Sequence, residues 1–469
     1  MMKEILLINP PLYFSNGIPK SLDVSVPPLG LLYLASYINK YSENFKAKII
    51  DTSVDGVSLD EIGDLIKKSN PFVVGITSMT PQLQGAVELA RFVKETVNTE
   101  AKVFLGGPHI SADKDFIDRY SNIFDYAITG ESEKTFLESI EKLLEKKEIP
   151  HVQAGENLHN LDSIPFPDNS LIRREKYNKT QSMLFGRGCP FQCYYCSRPS
   201  ISRTVRYRSV ENMIEEIKHV YEYSGGYINF QDDTFTMIRK RVVGLCNAIK
   251  KEKLELHWEC NTRIDLVDDE ILKIMKEAGC ESINFGIESG SERVRKEIIH
   301  KGNFTNKRIK EVFSLCRKHE IKIVCYFMIG HPTETKEEIE LTKKMILKSG
   351  LDLLGLSIPT PFPGSPLYNI AENEGVISKD IIDQFAEKKL GEGYKGVYPI
   401  YIPEGVSKEY LLSMMKTINR SFYISFRMLF RRIKRNIFSF KALKKDTIDF
   451  FSMIFKGVTS RKSYVGKLK

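Results

Sequence analysis

Short apolar runs alternate with amphipathic ones along the first third of the chain. The runs at 4–10 (EILLINP), 47–52 (AKIIDT), 72–80 (FVVGITSMT) and 102–110 (KVFLGGPHI), and the start of 126–147, predict strands. Between them, 30–41, 58–70, 84–96 and the remainder of 126–147 carry apolar residues at three- and four-residue spacing. They predict helices, with Ser58 placed to cap the second. Apolar strands between amphipathic helices imply a parallel, doubly wound α/β sheet. Ligands of such a sheet lie at the carboxyl ends of its strands. Here those ends hold Asn9, Asp51, Thr77, Ser78, Met79, Thr80, Gly106, Gly107, Gly130 and Glu131.

The pattern breaks over 148–180, where prolines and a lack of periodicity read as a crossing between domains. A second α/β series begins at 181. Its strands are expected at 182–188, 227–233, 256–263, 282–289, 322–330 and 353–362, with helical stretches between them. Six such units predict a partial TIM-type (β/α)6 barrel, in which chemistry sits on the loops after the strands. Polar residues fall there again: a cysteine run after the first strand, Asp232 and Asp233 after the second, Asn261 and Arg263 after the third. Glu288 follows the fourth, and Gly330, His331 and Pro332 the fifth. The expected organisation is thus a Rossmann-like domain over 1–147, a linker over 148–180 and a barrel over 181–375. A mainly helical, basic and aromatic region over 376–469 completes it.

Composition narrows the setting. A hydrophobic share of 42% and a charged share of 28% are those of a soluble globular protein. No stretch approaches the ~18 apolar residues of a membrane span, and the apolar part of MMKEILLINPP is too short for a signal peptide, so a cytoplasmic protein is expected. The net charge of +9 is uneven. Residues 420–469 hold fourteen Lys and Arg against Asp446 and Asp449, or +12, which leaves −3 for the rest. Within that tail Phe422, Phe426, Leu429, Phe430, Ile433 and Ile437 recur at helical spacing among Arg427, Arg431, Lys434 and Arg435. A basic amphipathic helix of this kind fits peripheral contact with an anionic membrane surface, and equally packing against the barrel. Nucleic-acid binding fits its charge alone.

The eight cysteines divide sharply. Cys246, Cys260, Cys280, Cys316 and Cys325 lie singly within predicted strands and helices and read as small buried hydrophobes in a reducing compartment. Cys189, Cys193 and Cys196 stand together in GRGCPFQCYYCSRP. Thiolates suit zinc and iron–sulfur clusters. A zinc site would normally close with a second cysteine pair or histidines, and no His lies within twenty residues of the run. Three cysteines on a cubane leave one iron open to bind and reduce a small molecule.

The C-x3-C-x2-C run, with Tyr195 before its last cysteine, resembles the signature of radical S-adenosylmethionine enzymes. FQDDTF, CNTRID, FGIESGS, MIGHPTET and TPFPGSPLY resemble segments of the subgroup that carries an N-terminal cobalamin-binding-type domain. LINPP, PPLGLLYLASY, IIDTS, GITSMT, LGGPHIS and YAITGESE resemble that domain itself, so the likeness covers roughly residues 1–370. The resemblance implies a 4Fe–4S cluster on Cys189, Cys193 and Cys196. It implies S-adenosylmethionine cleaved to a 5′-deoxyadenosyl radical, and cobalamin as a further cofactor. By analogy Glu288 would meet the ribose or amino group, Arg263 the methionyl carboxylate, and Asp232 or Asp233 the ammonium or substrate. Tyr195, Met328 and Gly330 would also adjoin S-adenosylmethionine. Thr77, Ser78, Met79, Gly106, Gly107, Gly130 and Glu131 would line the cobalamin site. The D-x-H-x-x-G histidine of many cobalamin proteins is missing, since His109 is the only histidine before 151 and has the wrong context.

The activity implied is methyl transfer to an unactivated carbon. The same domain pair also resembles the oxidative cyclase of the porphyrin pathway, so ring formation or another radical rearrangement stays open. So does a non-catalytic iron–sulfur binding protein. The expected partners are a small-molecule or lipid-like substrate and an external one-electron donor such as flavodoxin or ferredoxin.

Overall fold

The computed structural model describes residues 2–20, 26–97, 99–388 and 399–425. The chain forms two compact units. One comprises Met1–Phe191, Cys196–His219 and Phe362–Tyr394; the other Gln192–Tyr195, Val220–Pro361 and Lys395–Lys469.

In the first unit six parallel strands, β1 (Lys3–Asn9), β2 (Phe45–Asp51), β3 (Val73–Thr77), β4 (Lys102–Gly106), β5 (Tyr126–Thr129) and β6 (Val152–Ala154), form one sheet in the order β2-β1-β3-β4-β5-β6. The order reverses at β1. The crevice beyond β1 and β3 is therefore the place such a sheet offers a ligand. The helix at Leu29–Tyr41, α1, buries Leu32, Ala35 and Ile38 in one cluster with Ile5, Leu7 and Ala47 of the sheet. The next, α2 (Leu59–Ser69), starts on the expected cap: Ser58 Oγ accepts from Glu61 N at 3.3 Å, and Glu61 Oε2 accepts from Ser58 N at 2.8 Å.

In the second unit β7 (Tyr227–Phe230), β8 (His257–Thr262), β9 (Cys280–Glu288), β10 (Lys322–Met328) and β11 (Leu353–Ser357) run parallel in chain order, as in a barrel wall. Phe230, Cys260, Phe285 and Cys325 lie on one apolar face, fully buried. The opposite face is polar. Asn229 lies beside Glu259, Asn261 beside Asn284, and Gly286 beside Tyr326. Asn284 Nδ2 donates to Asn261 Oδ1 at 3.1 Å. The last described helix, α3 (Lys408–Tyr423), buries Leu411, Met414, Ile418 and Phe422.

Three expectations change. The stretch read as a crossing contains β6, an edge strand whose three residues are too few to show alternation. The first expected barrel strand is broken into two short pieces, Gln181–Met183 and Gly186–Arg187, of which Gln181–Met183 is a strand of the barrel sheet. The expected helix over 84–96 is α-helical only to Arg91 and continues as a π-helical turn, Phe92–Val97. Of the basic aromatic helix only Phe422 falls in α3, where it is buried. Phe426, Leu429, Phe430, Ile433, Ile437 and their basic neighbours lie outside the described residues. Among the described residues no helix is long and apolar enough to cross a membrane.

Candidate functional site

The structure separates the cysteines as their sequence contexts do. Cys246, Cys260, Cys280, Cys316 and Cys325 are buried, whereas Cys189, Cys193 and Cys196 are half-buried and reduced. Burial pushes the Cys316 thiol up to about 12 and lifts those of Cys246, Cys260 and Cys325 far above their ordinary value, so these stay protonated and inert. The half-buried three sit between two short antiparallel strands, Gly186–Arg187 and Arg206–Tyr207. Gly188, at φ +95°, makes the turn into the run; a Cβ there would lie 2.2 Å from the Thr204 carbonyl. Cys189 N donates to Ser202 O at 3.3 Å, and Arg198 N donates to Cys196 Sγ at 3.4 Å. Among the described residues no three His, Cys, Asp or Glu side chains gather around a single ion position. A cubane does not require that, because each thiolate takes a different iron. The donor set, three accessible thiols on a short loop, fits such a cluster.

At the end of β9, Glu288 is buried with φ +71°, a strained backbone for a carboxylate residue. Its Oε1 accepts from Tyr195 Oη at 2.8 Å and from Lys301 Nζ at 2.9 Å. Tyr195 and Glu288 were both expected at the site. Lys301 was not, since its stretch, EIIHKGNF, carries no periodic or motif signal. Arg263 stands beside them. Its Nε and Nη2 donate to Asp265 at 3.0 and 2.8 Å, and Nη2 also donates to the Lys301 carbonyl, contacts that hold the loop it builds. Asp232 is buried after β7, with its carbonyl accepting from Asn261 Nδ2 at 3.5 Å, and Asp233 is half-buried.

Met328 is buried at the end of β10. Gly330 follows at φ +95°, donating its N–H to Glu334 at 2.7 Å. A Cβ there would lie 3.1 Å from a methyl group of Leu411 in α3, and the positive φ itself favours glycine. His331 donates its backbone N–H to Glu334 at 3.1 Å, and its Nδ1 lies 2.7 Å from Tyr194 Oη. Burial pushes His331 down to about 4 and Glu334 up to about 7.

The first unit holds a cavity of about 290 Å³ at the carboxyl ends of its strands. Of the seven residues expected there, Thr77, Gly106, Gly107, Gly130 and Glu131 line it. Ser78 is instead buried behind the wall and Met79 points outward. Gly107 has φ +96°, and a Cβ on it would lie 2.6 Å from Thr77 Oγ1, so only glycine closes this corner. The rest of the wall was not foreseen. Tyr33 and Phe104 supply apolar surface, while Arg187 and Gly188 come from before the cysteine run and Arg198, Ile201 and Ser202 from after it. Charge at the wall is paired inward. Glu131 accepts from Arg187 at 3.1 Å and from Arg206, and Glu133 accepts from Arg187 at 2.7 Å. Burial works against the Glu133 charge, yet Arg187 outweighs it and holds the carboxyl below its ordinary value. His109 is sealed in the core against Thr80 Oγ1 at 3.1 Å and pushed down to about 3, as befits a structural histidine rather than a metal ligand. A glycine-cornered, mainly apolar cavity at the switch point of a doubly wound sheet fits part of a bulky cofactor such as cobalamin.

Residues 183–346 match the model of the radical SAM superfamily, and residues 19–140 that of the B12 binding domain. An uncharacterized methyltransferase of Pyrococcus horikoshii is 32% identical over 451 residues, spanning 92% of this chain and 94% of the relative. The chain belongs to the radical SAM superfamily. It belongs to the branch that joins a B12 binding domain to the radical SAM domain, a family of enzymes. With the two domains come a 4Fe–4S cluster, S-adenosylmethionine and cobalamin. The anaerobic magnesium-protoporphyrin IX monomethyl ester cyclase of Cereibacter sphaeroides is 27% identical, over 88% of this radical SAM chain and 69% of the cyclase. Among solved structures, the radical S-adenosylmethionine methyltransferase TsrM of Kitasatospora setae, with cobalamin and a 4Fe–4S cluster bound, aligns with a TM-score of 0.65. It is 18% identical, over 80% of this chain and 76% of that one, which shows the shared α/β fold.

Proposed function

We propose that this radical SAM enzyme transfers a methyl group to an unactivated carbon of a small molecule. The observation that carries the reading is the cavity wall: residues on both flanks of the cysteine run, Arg187 and Gly188 before it and Arg198 and Ser202 after it, line the cavity of the B12-type sheet. A methyl carrier seated there lies against the loop that bears the cluster ligands. When bound, cobalamin supplies the methyl carrier, and the cluster with S-adenosylmethionine supplies the 5′-deoxyadenosyl radical. Cys189, Cys193 and Cys196 hold the cluster, and Glu288 and Tyr195 form the polar wall that orients S-adenosylmethionine. Asp232, Asp233 and Met328 complete its surroundings. Thr77, Gly106, Gly107 and Gly130 give the carrier its room. The electron comes from an external one-electron donor of the flavodoxin or ferredoxin class. The name of the Pyrococcus relative supports the same reading.

The test is product analysis of anaerobically reconstituted protein with hydroxocobalamin, a reductant and S-adenosylmethionine. Radical methyl transfer yields both S-adenosylhomocysteine and 5′-deoxyadenosine. The second reading, oxidative ring closure, is favoured by similarity to the cyclase and predicts 5′-deoxyadenosine without S-adenosylhomocysteine. A lipid-like substrate met at a membrane surface is a further part of the proposal, motivated by the +12 charge of 420–469. Liposome co-sedimentation should fall on deletion of 426–469, and equal binding by both forms would remove that part.

A further inference from the structure

We propose that Lys301 is the cation of the iron–sulfur site, holding Glu288 and Tyr195 in place and making the cluster easier to reduce. The proposal rests on reading the cysteine run as the cluster site. Lys301 is only 8% exposed. A buried ammonium needs partners, and its Nζ has Glu288 Oε1 at 2.9 Å and Tyr195 Oη at 3.4 Å. Tyr195 immediately precedes Cys196. A Cys193 thiolate is also among the charges that act on this ammonium. Burial alone would push Lys301 down, but Glu288 and Cys193 outweigh it and leave the ammonium above its ordinary value.

The surrounding chain is built to present this side chain. The Lys301 N–H donates to the Arg295 carbonyl at 2.9 Å, and its own carbonyl accepts from Arg263. Arg295 is fully buried and anchored to Ser289 O at 2.6 Å and Asn306 Oδ1 at 2.7 Å. Gly302 follows at φ +113°, and a Cβ there would meet Arg263 Nη2 at 2.9 Å. Across the site, Gly286 leaves the room: a Cβ on it would fall 2.6 Å from Lys301 Nζ and 2.5 Å from Glu288 Oε1. Arg263 does not compete for the role, being bound to Asp265.

A fixed positive charge close to a cysteine-ligated cluster stabilises the state with one more electron. The step concerned is the one-electron reduction of the cluster from 2+ to 1+ by the external donor, with no bond made or broken. Lys301 touches no reacting atom in this role and acts by position and charge.

The experiment is a redox titration of the reconstituted full-length protein without S-adenosylmethionine, followed by electron paramagnetic resonance, after iron and sulfide have been counted. Glu288→Gln removes the counter-charge and should move the midpoint potential positive. Adding Lys301→Met should move it back in the negative direction. Lys301→Arg alone should keep the wild-type potential. Equal potentials for Glu288→Gln and the double variant overturn the proposal while leaving the cluster reading intact. A chain that takes up no iron overturns both. If the double variant does not fold, Lys301→Gln alone replaces it; a negative shift from the wild-type potential supports the proposal and an unmoved potential overturns it.

Discussion

The two parallel sheets end differently. At the carboxyl end of the first, the charges pair with one another: Arg187 and Arg206 neutralise Glu131 and Glu133, and the rest of the cavity wall is mainly glycine and apolar side chains. At the carboxyl end of the second, charges face one another at the site itself, Lys301 against Glu288 and Arg263 against Asp265. One architecture thus gives two kinds of site. A large cofactor asks for volume and close backbone approach. A redox cluster with a charged co-substrate asks for fixed charges in a low dielectric.

The sharpest break of this comparison is at the cysteines. Cys193→Ala should lose the iron and all 5′-deoxyadenosine formation. Cys246→Ala removes a thiol that is equally free of disulfide but buried, and should keep both. Iron analysis and product chromatography decide it, and loss of iron from the Cys246 variant would mean that the division of the cysteines is wrong.

The next effect belongs to the first sheet. Arg187→Met leaves Glu131 with Arg206 only and strands Glu133, which is 6% exposed. Removing one partner from a buried ion pair costs about 3–5 kcal/mol. A matching fall in the thermal midpoint is expected, with part of it recovered in Arg187→Lys, which keeps charge but not the fork. A smaller effect comes from Gly107→Ala, which places a Cβ at φ +96° against Thr77 and Ser78. It should cost about 1–3 kcal/mol and abolish hydroxocobalamin binding, read from its visible spectrum, while iron content stays unchanged. Gly106→Ala meets open space and should be tolerated by the fold.

These residues differ in how far the sequence discloses them. The sheets are legible because whole strands bury apolar runs, and the cysteine run because its three thiols are close together in the chain. Glu288 and Tyr195 are legible because strand ends and the run itself point to them. Lys301 is not, because what makes it matter is a buried contact with residues 13 and 106 positions away. The packing of Leu411 against Gly330 is hidden for the same reason, because a helix distant in sequence brings it in. Arg187 looks like an ordinary strand residue until its two carboxylates are seen, and β6 is too short to announce itself.

The smallest effect concerns the polar face of the second sheet, where Glu259 lies beside Asn229 and is 9% exposed. Burial pushes its carboxyl up to about 7, with Lys322 pulling weakly the other way. Its ordinary value is 4.5, so above about pH 5 the unfolded chain has lost this proton while the folded chain still holds it. Stability therefore falls as pH rises through 7, by about 1 kcal/mol from pH 6 to pH 8 for this group alone. Glu216 and Glu334, also raised to about 7, act in the same direction. His331, lowered to about 4, acts oppositely, because its contribution is lost as pH falls below 6.5. All three are common to wild type and Glu259→Gln, so they cancel in the difference. Glutamine mimics the protonated acid, and the variant should lose less stability than wild type between pH 6 and pH 8 in thermal melts. If both lose the same, Glu259 is ionised and hydrated at neutral pH. The polar face of the second sheet would then carry charge at its base as well as at its carboxyl end.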